Sequence, residues 1–330
     1  WTLATRRLLN PGSVGGEVSG LNSLVGSAVN DQVGGQGITA LTGGRYVVRS
    51  DAWGGGKGAV TLGKADGSSV GAVTAGNSLV GSATTDKVGS GGITQLAANG
   101  NYVVKSPEWG STYTKMGAVT FVDGSNGHIS TAGVTGATVA ASNSLVGRKQ
   151  DDGVGSNGVA ALGNGHYVVS SSQWNSDAFA RAGAVTWANG NGSTVGEVLA
   201  TNSLVGGKAD AGVGSGGVTA LANNHYVVSS TSGAAGFLRG AVTWGDGTQA
   251  TSGVVSETNS LVGGGNMDMV GSGGITALSN GDYVVRSDYW GAFTLGSDAG
   301  AVTWVNGGGP RTGVVSASNS LVAGASGDKV

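Results

Sequence analysis

Cysteine is absent from the 330 residues, which excludes disulfides, thiol nucleophiles and thiolate metal ligands. Histidine occurs three times, at His128, His166 and His225. No Ser/His/Asp set and no paired metal-binding spacing can be built from them. No enzyme, cofactor or metal is therefore expected. Charged residues make up 11% of the chain and the net charge is -2, without any basic block. Nucleic acid is thus not an expected partner. No apolar run approaches the roughly 18 residues that cross a bilayer, so membrane insertion is not expected either. Proline appears three times.

Glycine supplies 67 positions, and 39% of residues are hydrophobic, mostly in short runs with Thr and Ser between them. That composition is unlike a disordered tail and fits an all-β chain rich in turns.

The tetrad Asn-Ser-Leu-Val begins at Asn22, Asn77, Asn143, Asn202, Asn259 and Asn319. This divides the chain into five complete units, 22–76, 77–142, 143–201, 202–258 and 259–318, with partial units 1–21 and 319–330. Both ends fall inside a unit, so a longer polypeptide, with neighbouring segments as partners, is expected. Within a unit the spacing is rigid at first. An aspartate lies nine residues after the asparagine, at Asp31, Asp86, Asp152, Asp268 and Asp328, and the fourth unit has Ala211 there. A tyrosine recurs at Tyr46, Tyr102, Tyr167, Tyr226 and Tyr283. Seven residues beyond it stand Trp53, Trp109, Trp174 and Trp290, with Gly233 in the fourth unit. The register then loosens before each Gly-Ala-Val-Thr.

Fixed spacing predicts packed strands and variable spacing predicts surface loops. In the last unit the strands are expected at Ile275–Leu278, Tyr283–Arg286 and Gly300–Trp304, with a fourth running through Val314-Val315 towards Leu321-Val322. Asn280-Gly281, Asn164-Gly165 and Asn99-Gly100 predict type I′ hairpin turns between the first two strands. Four antiparallel strands per unit, with apolar residues on both faces, predict a β-propeller whose blades cover one another. A parallel β-solenoid spacer is the alternative, and the tight reversals count against it.

The pattern V-G-x-x-G-I-T-A-L, Y-V-V, G-A-V-T-W resembles the blades of FG-GAP, or integrin-α-type, propellers. The fuller wording, N-S-L-V-G through G-A-V-T-W, resembles repeats of filamentous-haemagglutinin-type bacterial surface proteins over about residues 15–330. The second resemblance implies export, an extracellular or bacterial cell-surface location, and a role in adhesion or surface structure. The first implies calcium in some blades. Turns such as Thr42-Gly43-Gly44-Arg45 hold too few carboxylates for the six or more oxygen ligands calcium prefers, so calcium is not carried over.

Each recurrent polar or aromatic residue has two readings. The aspartates could bind metal, but their fixed distance from the asparagine suggests a turn in which carboxylate and amide satisfy backbone N–H groups. His166 and His225 share a slot with Arg45, Asn101 and Asp282, which reads as an exposed turn edge. Trp53, Trp109, Trp174 and Trp290 could bind ligand as platforms for a glycan, or could be buried between blades. Pairs such as Gly91-Gly92, Gly216-Gly217 and Gly273-Gly274 lack the Lys-Ser/Thr of a phosphate loop and suggest backbone crowding near an axis. Loops 54–57, 110–116, 175–182, 234–239 and 291–299 are the expected contact surface, for a host-surface protein or a glycan.

Overall fold

The computed structural model describes residues 17–96, 100–130, 133–234, 238–291 and 299–324. The repeated hairpin is its basic piece. In the third unit Val159–Ala161 runs antiparallel to Tyr167–Ser171, with Val159 opposite Val169 and Ala161 opposite Tyr167. The reversal between them closes through Gly165 N–H to Leu162 O at 3.0 Å and Leu162 N–H to His166 O at 2.9 Å. Gly165 has φ +87°, whereas Asn164 does not enter the left-handed region. The turn is therefore a type I turn followed by one left-handed residue, not the expected type I′, which needs positive φ at two successive positions. The fourth unit places Asn224 in the left-handed position, with φ +69°. Asn99, in the second unit's turn, lies outside the described residues.

Tyr167–Ser171 also pairs antiparallel with Ala184–Ala188, and that strand with Leu204–Val205. A fifth strand, Gly253–Val254, then lies parallel to Leu204–Val205. The same order recurs in three other sheets. They are Ile38–Ala40, Tyr46–Ser50, Ala59–Gly63, Ser78–Val80 and Ala137–Thr138; then Ile93–Gln95, Tyr102–Ser106, Ala118–Val122, Leu145–Val146 and Gly196–Glu197; then Val218–Ala220, Tyr226–Ser230, Ala241–Gly245, Leu261–Val262 and Gly313–Val314. The last sheet has four strands, Gly274–Ala277, Tyr283–Ser287, Ala301–Val305 and Leu321–Val322. Leu24–Val25 and Gly71–Ala72 form a separate parallel pair.

The protein is thus all-β and built from repeated multi-stranded sheets, but four-stranded antiparallel units are a correction to make. The run expected as one fourth strand is broken by a turn, such as Ser316–Ser320, and its halves go to different sheets. Gly313–Val314 joins the sheet before it, while Leu321–Val322 joins Ala301–Val305. Each five-stranded sheet therefore takes its parallel edge from the next unit down the chain. Its interior remains antiparallel, unlike a parallel solenoid.

Period-2 alternation sends successive residues of a strand to opposite faces. Val103, Val119, Phe121 and Leu145 of the second sheet meet Tyr167, Val169, Trp174 and Ala184 of the third in one core. Val168, Val185 and Leu204, on the other face of the third sheet, meet Tyr226 and Val228 of the fourth. Every core is an interface between consecutive sheets, which explains why apolar residues occupy both faces.

Candidate functional site

The variable loops are held by a polar frame that repeats with nearly constant geometry. Its first member joins the third and fourth strands. The hydroxyls of Thr61 and Ser78, Thr120 and Ser144, Thr186 and Ser203, Thr243 and Ser260, and Thr303 and Ser320 each lie 2.7 Å apart. Each serine is also bonded to the amide oxygen of the asparagine before it, as Ser203 Oγ donates to Asn202 Oδ1 at 2.8 Å. That oxygen accepts Leu199 N–H at 2.9 Å, and Asn202 Nδ2 donates to Glu197 O at 2.9 Å. The asparagine amide thereby fastens the crossing from one sheet to the next.

The aspartates close a different turn, after the fourth strand. Asp152 is fully buried. Its Oδ2 accepts the N–H groups of Arg148 and Lys149, both at 2.8 Å, and its Oδ1 accepts Asn175 N–H at 2.9 Å. Asp31 and Asp86 repeat this, reaching Gly54 N–H at 3.0 Å and Gly110 N–H at 3.3 Å, and Asp268 reaches Gly291 N–H at 3.1 Å. Each carboxylate thus grips the residue directly after the tryptophan and fixes where the loop begins. Carboxylate and asparagine amide serve two separate turns, not the shared one expected. Burial alone would raise the Asp31 carboxyl, but the N–H donors of Ala28, Gly54 and Ser27 outweigh it and hold it below the usual range. Asp328 lies outside the described residues.

The fourth unit lacks both the carboxylate and the tryptophan. Ala211 is buried in the aspartate slot, and the neighbouring Asp210 does not slip into it. Asp210 instead pairs with Arg181 at 2.5 Å on the surface.

Trp109 and Trp174 are each 2% exposed and belong to cores between sheets. Indoles so covered present no face to a sugar. Trp53 and Trp290 are half-buried and pack against neighbouring clusters, and Trp290 Nε1 donates to Val315 O at 3.3 Å. The glycine pairs also have a local cause. A Cβ on Gly91 or Gly216 would strike Lys105 or Ser229 of its own sheet, while at Gly92 and Gly217 a Cβ would meet no clash but φ is +86° and +88°. Crowding between backbones at an axis is not the reason.

The slot before the tyrosine is more than an exposed edge. Asn101 Oδ1 accepts Gly124 N–H at 3.1 Å, His166 Nδ1 accepts Gly190 N–H at 3.0 Å, His225 Nδ1 accepts Gly247 N–H at 3.2 Å, and Asp282 Oδ1 accepts Gly307 N–H at 3.0 Å. Three residue types share one acceptor role, so identity varies while chemistry is kept. Each histidine ring also lies against a tryptophan, His166 on Trp187 at 4.9 Å and His225 on Trp244 at 4.7 Å. Burial lowers the His166 pKa.

Between sheets, paired donors converge on one carbonyl. Gly247 O accepts Asn164 Nδ2 at 2.9 Å and Trp187 Nε1 at 3.1 Å. Gly307 O accepts Asn223 Nδ2 and Trp244 Nε1, both at 2.9 Å. In the first unit, Arg45 Nη1 donates to Gly124 O in their place.

The loops lie on this frame. Tyr113 in loop 110–116 is 51% exposed and Phe179 in loop 175–182 is 38% exposed. In the same loop as Phe179, Asp177 pairs with Arg148 at 3.4 Å and with Lys149 at 3.5 Å, and Arg148 also pairs with Glu197 at 3.2 Å. Parts of loops 234–239 and 291–299 lie outside the described residues. Among the described residues no three His, Asp or Glu side chains are placed to hold a metal, and no helix is long and apolar enough to cross a membrane.

A family model described as a repeat of unknown function, DUF5650, matches residues 11–35, 40–90, 96–156, 161–215, 220–272 and 277–330. No curated protein matches the chain.

Proposed function

The chain belongs to the DUF5650 repeat family, and from that footing we propose that it is a non-enzymatic module that displays variable loops to a partner. Its setting in this reading is a large bacterial surface or secreted protein, where it serves adhesion. The sheets are blades of a β-propeller, with the first strands innermost. Adjacency of the first strands Ile93–Gln95, Val159–Ala161, Val218–Ala220 and Gly274–Ala277 supports that radial arrangement. The observation that carries the display role is the division of labour along each unit. The recurrent Asn and Asp side chains are engaged in holding backbone, and the Thr and Ser hydroxyls in bonding one another and the Asn, so variation is concentrated in the loops they anchor.

Loops 110–116 and 175–182 offer an exposed aromatic each, a common anchor at protein interfaces, and the second adds the ion-paired Asp177. The partner in this reading is a host-surface protein or a glycan. The test is a panel of matrix proteins and glycans probed with the native chain and with Tyr113→Ser and Phe179→Ser variants. Binding that weakens in the variants, with folding unchanged, supports display. An absence of binding across the panel would leave a passive spacer.

A further inference from the structure

The fourth unit departs from the other four at one internal place. In each of those four the tryptophan shares a core with two valines, one just after the parallel edge strand and one in the fourth strand. Trp174 does so with Val198 and Val205, and Trp290 with Val315 and Val322; the first two units repeat the grouping. The fourth unit has Gly233 in the tryptophan slot. Its two corresponding valines, Val255 and Val262, line a cavity of about 430 Å³ together with Ala234. The charges around that cavity are also particular to this unit. Arg239 stands where the second, third and fifth units bury Met116, Ala182 and Ala299. Its Nε donates to Gly263 O at 2.6 Å, which holds the guanidinium at the cavity wall. Lys208 lines the cavity as well. Its counterpart in the third unit, Lys149, pairs with Asp177 at 3.5 Å, whereas Lys208 joins no ion pair among the described residues. Against these two cations the described lining sets one carboxylate, Glu257.

We propose that this cavity binds a bicyclic aromatic carboxylic acid, of which an indole acid is the type. The ring takes the place that tryptophan holds in the sister units, against Val255 and Val262. A ring N–H can donate to Val255 O, as Trp290 Nε1 donates to Val315 O at 3.3 Å. The carboxylate meets Lys208 and Arg239, and charge-assisted bonds of this kind are stronger than neutral ones. The volume falls within the roughly 300–1,000 Å³ of small-ligand pockets, and an apolar floor with a few polar groups is their usual lining. The inference rests on the comparison of units and not on the display role.

Isothermal titration calorimetry of the whole chain with indole-3-acetate tests it. Saturable binding at one site per chain is expected. Indole-3-ethanol keeps the ring without the charge and should bind at least about tenfold more weakly, because a hydrogen bond to a charged group is lost. Gly233→Trp restores the residue of the sister units and should abolish binding. Lys208→Met changes a half-buried side chain and should keep the fold, which circular dichroism checks. It should weaken indole-3-acetate about tenfold and leave indole-3-ethanol unchanged. A native chain that shows no saturable binding at millimolar concentration overturns the proposal. So does binding of indole-3-acetate that either folded variant leaves unchanged. Phe237 lies outside the described residues, and binding that appears only in a Phe237→Ala variant would also overturn it, since the chain's own ring would then hold the place.

Discussion

Replacing Asp152 by alanine tests the frame at its most concentrated point. The carboxylate is fully buried and accepts Arg148 N–H, Lys149 N–H, Asn175 N–H and Asn175 Nδ2–H at 2.8–2.9 Å. Truncation removes the acceptor for all four. A buried donor left unpaired costs about 1–3 kcal/mol. Arg148, Lys149 and Asn175 are themselves half-buried, so water recovers part of the loss. The expected net destabilisation is about 3 kcal/mol, confined mainly to the third repeat, because each repeat contacts only its neighbours. Hydrogen exchange should locate the change, with faster exchange at the amides of Arg148, Lys149 and Asn175. Urea unfolding should show it as an earlier transition. The fourth unit is an internal control: with Ala211 and Gly233 it has neither the carboxylate nor the tryptophan, and its amides should not respond. Unchanged exchange at Asn175 together with an unchanged transition would refute the claim that the carboxylate fixes the start of the loop.

Three further outcomes are expected. His166→Asn keeps an acceptor for Gly190 N–H, as Asn101 does for Gly124, and alters pH dependence more than stability. The folded state lowers the His166 pKa below the ordinary value of 6.5, so its contribution is present above that value and is lost as pH falls through the lowered one. Acid titrations of unfolding should therefore be flatter in the variant over that window. Gly183→Ala should cost at least about 2 kcal/mol in urea unfolding, because φ is +74° and a Cβ would fall on the Val213 amide nitrogen. Thr186→Val should cost about 1 kcal/mol by the same measurement, through loss of the 2.7 Å contact with Ser203 Oγ.

The repeat, the three antiparallel strands of each sheet and the anchoring role of the aspartates were legible because they leave local traces: period-2 apolar runs, Asn-Gly reversals and fixed distances. The fate of the Val314–Val322 run was not. Hydrophobic pattern marks a segment as strand but does not say which sheet it joins, and here the turn at Asn319 splits it between two. The slot holding Asn101, His166, His225 and Asp282 looked permissive because residue type varied, while the shared property, a side-chain acceptor for a glycine N–H, shows only when the partner is in place. The tryptophans could not be divided between platform and core from spacing alone. Packing against the preceding sheet decides it for Trp109 and Trp174.

The exchange of edge strands between consecutive units is what makes the chain one interlocked array, and amide hydrogen exchange reads it directly. Val198, Val255 and Val315 donate to Val146 O, Val205 O and Val262 O at 2.9, 3.0 and 3.0 Å, across the parallel edge of the preceding sheet. Protection of these amides close to that of Val168 and Val227 in the central strands is the predicted result. Exchange at the rate of an open loop would contradict it.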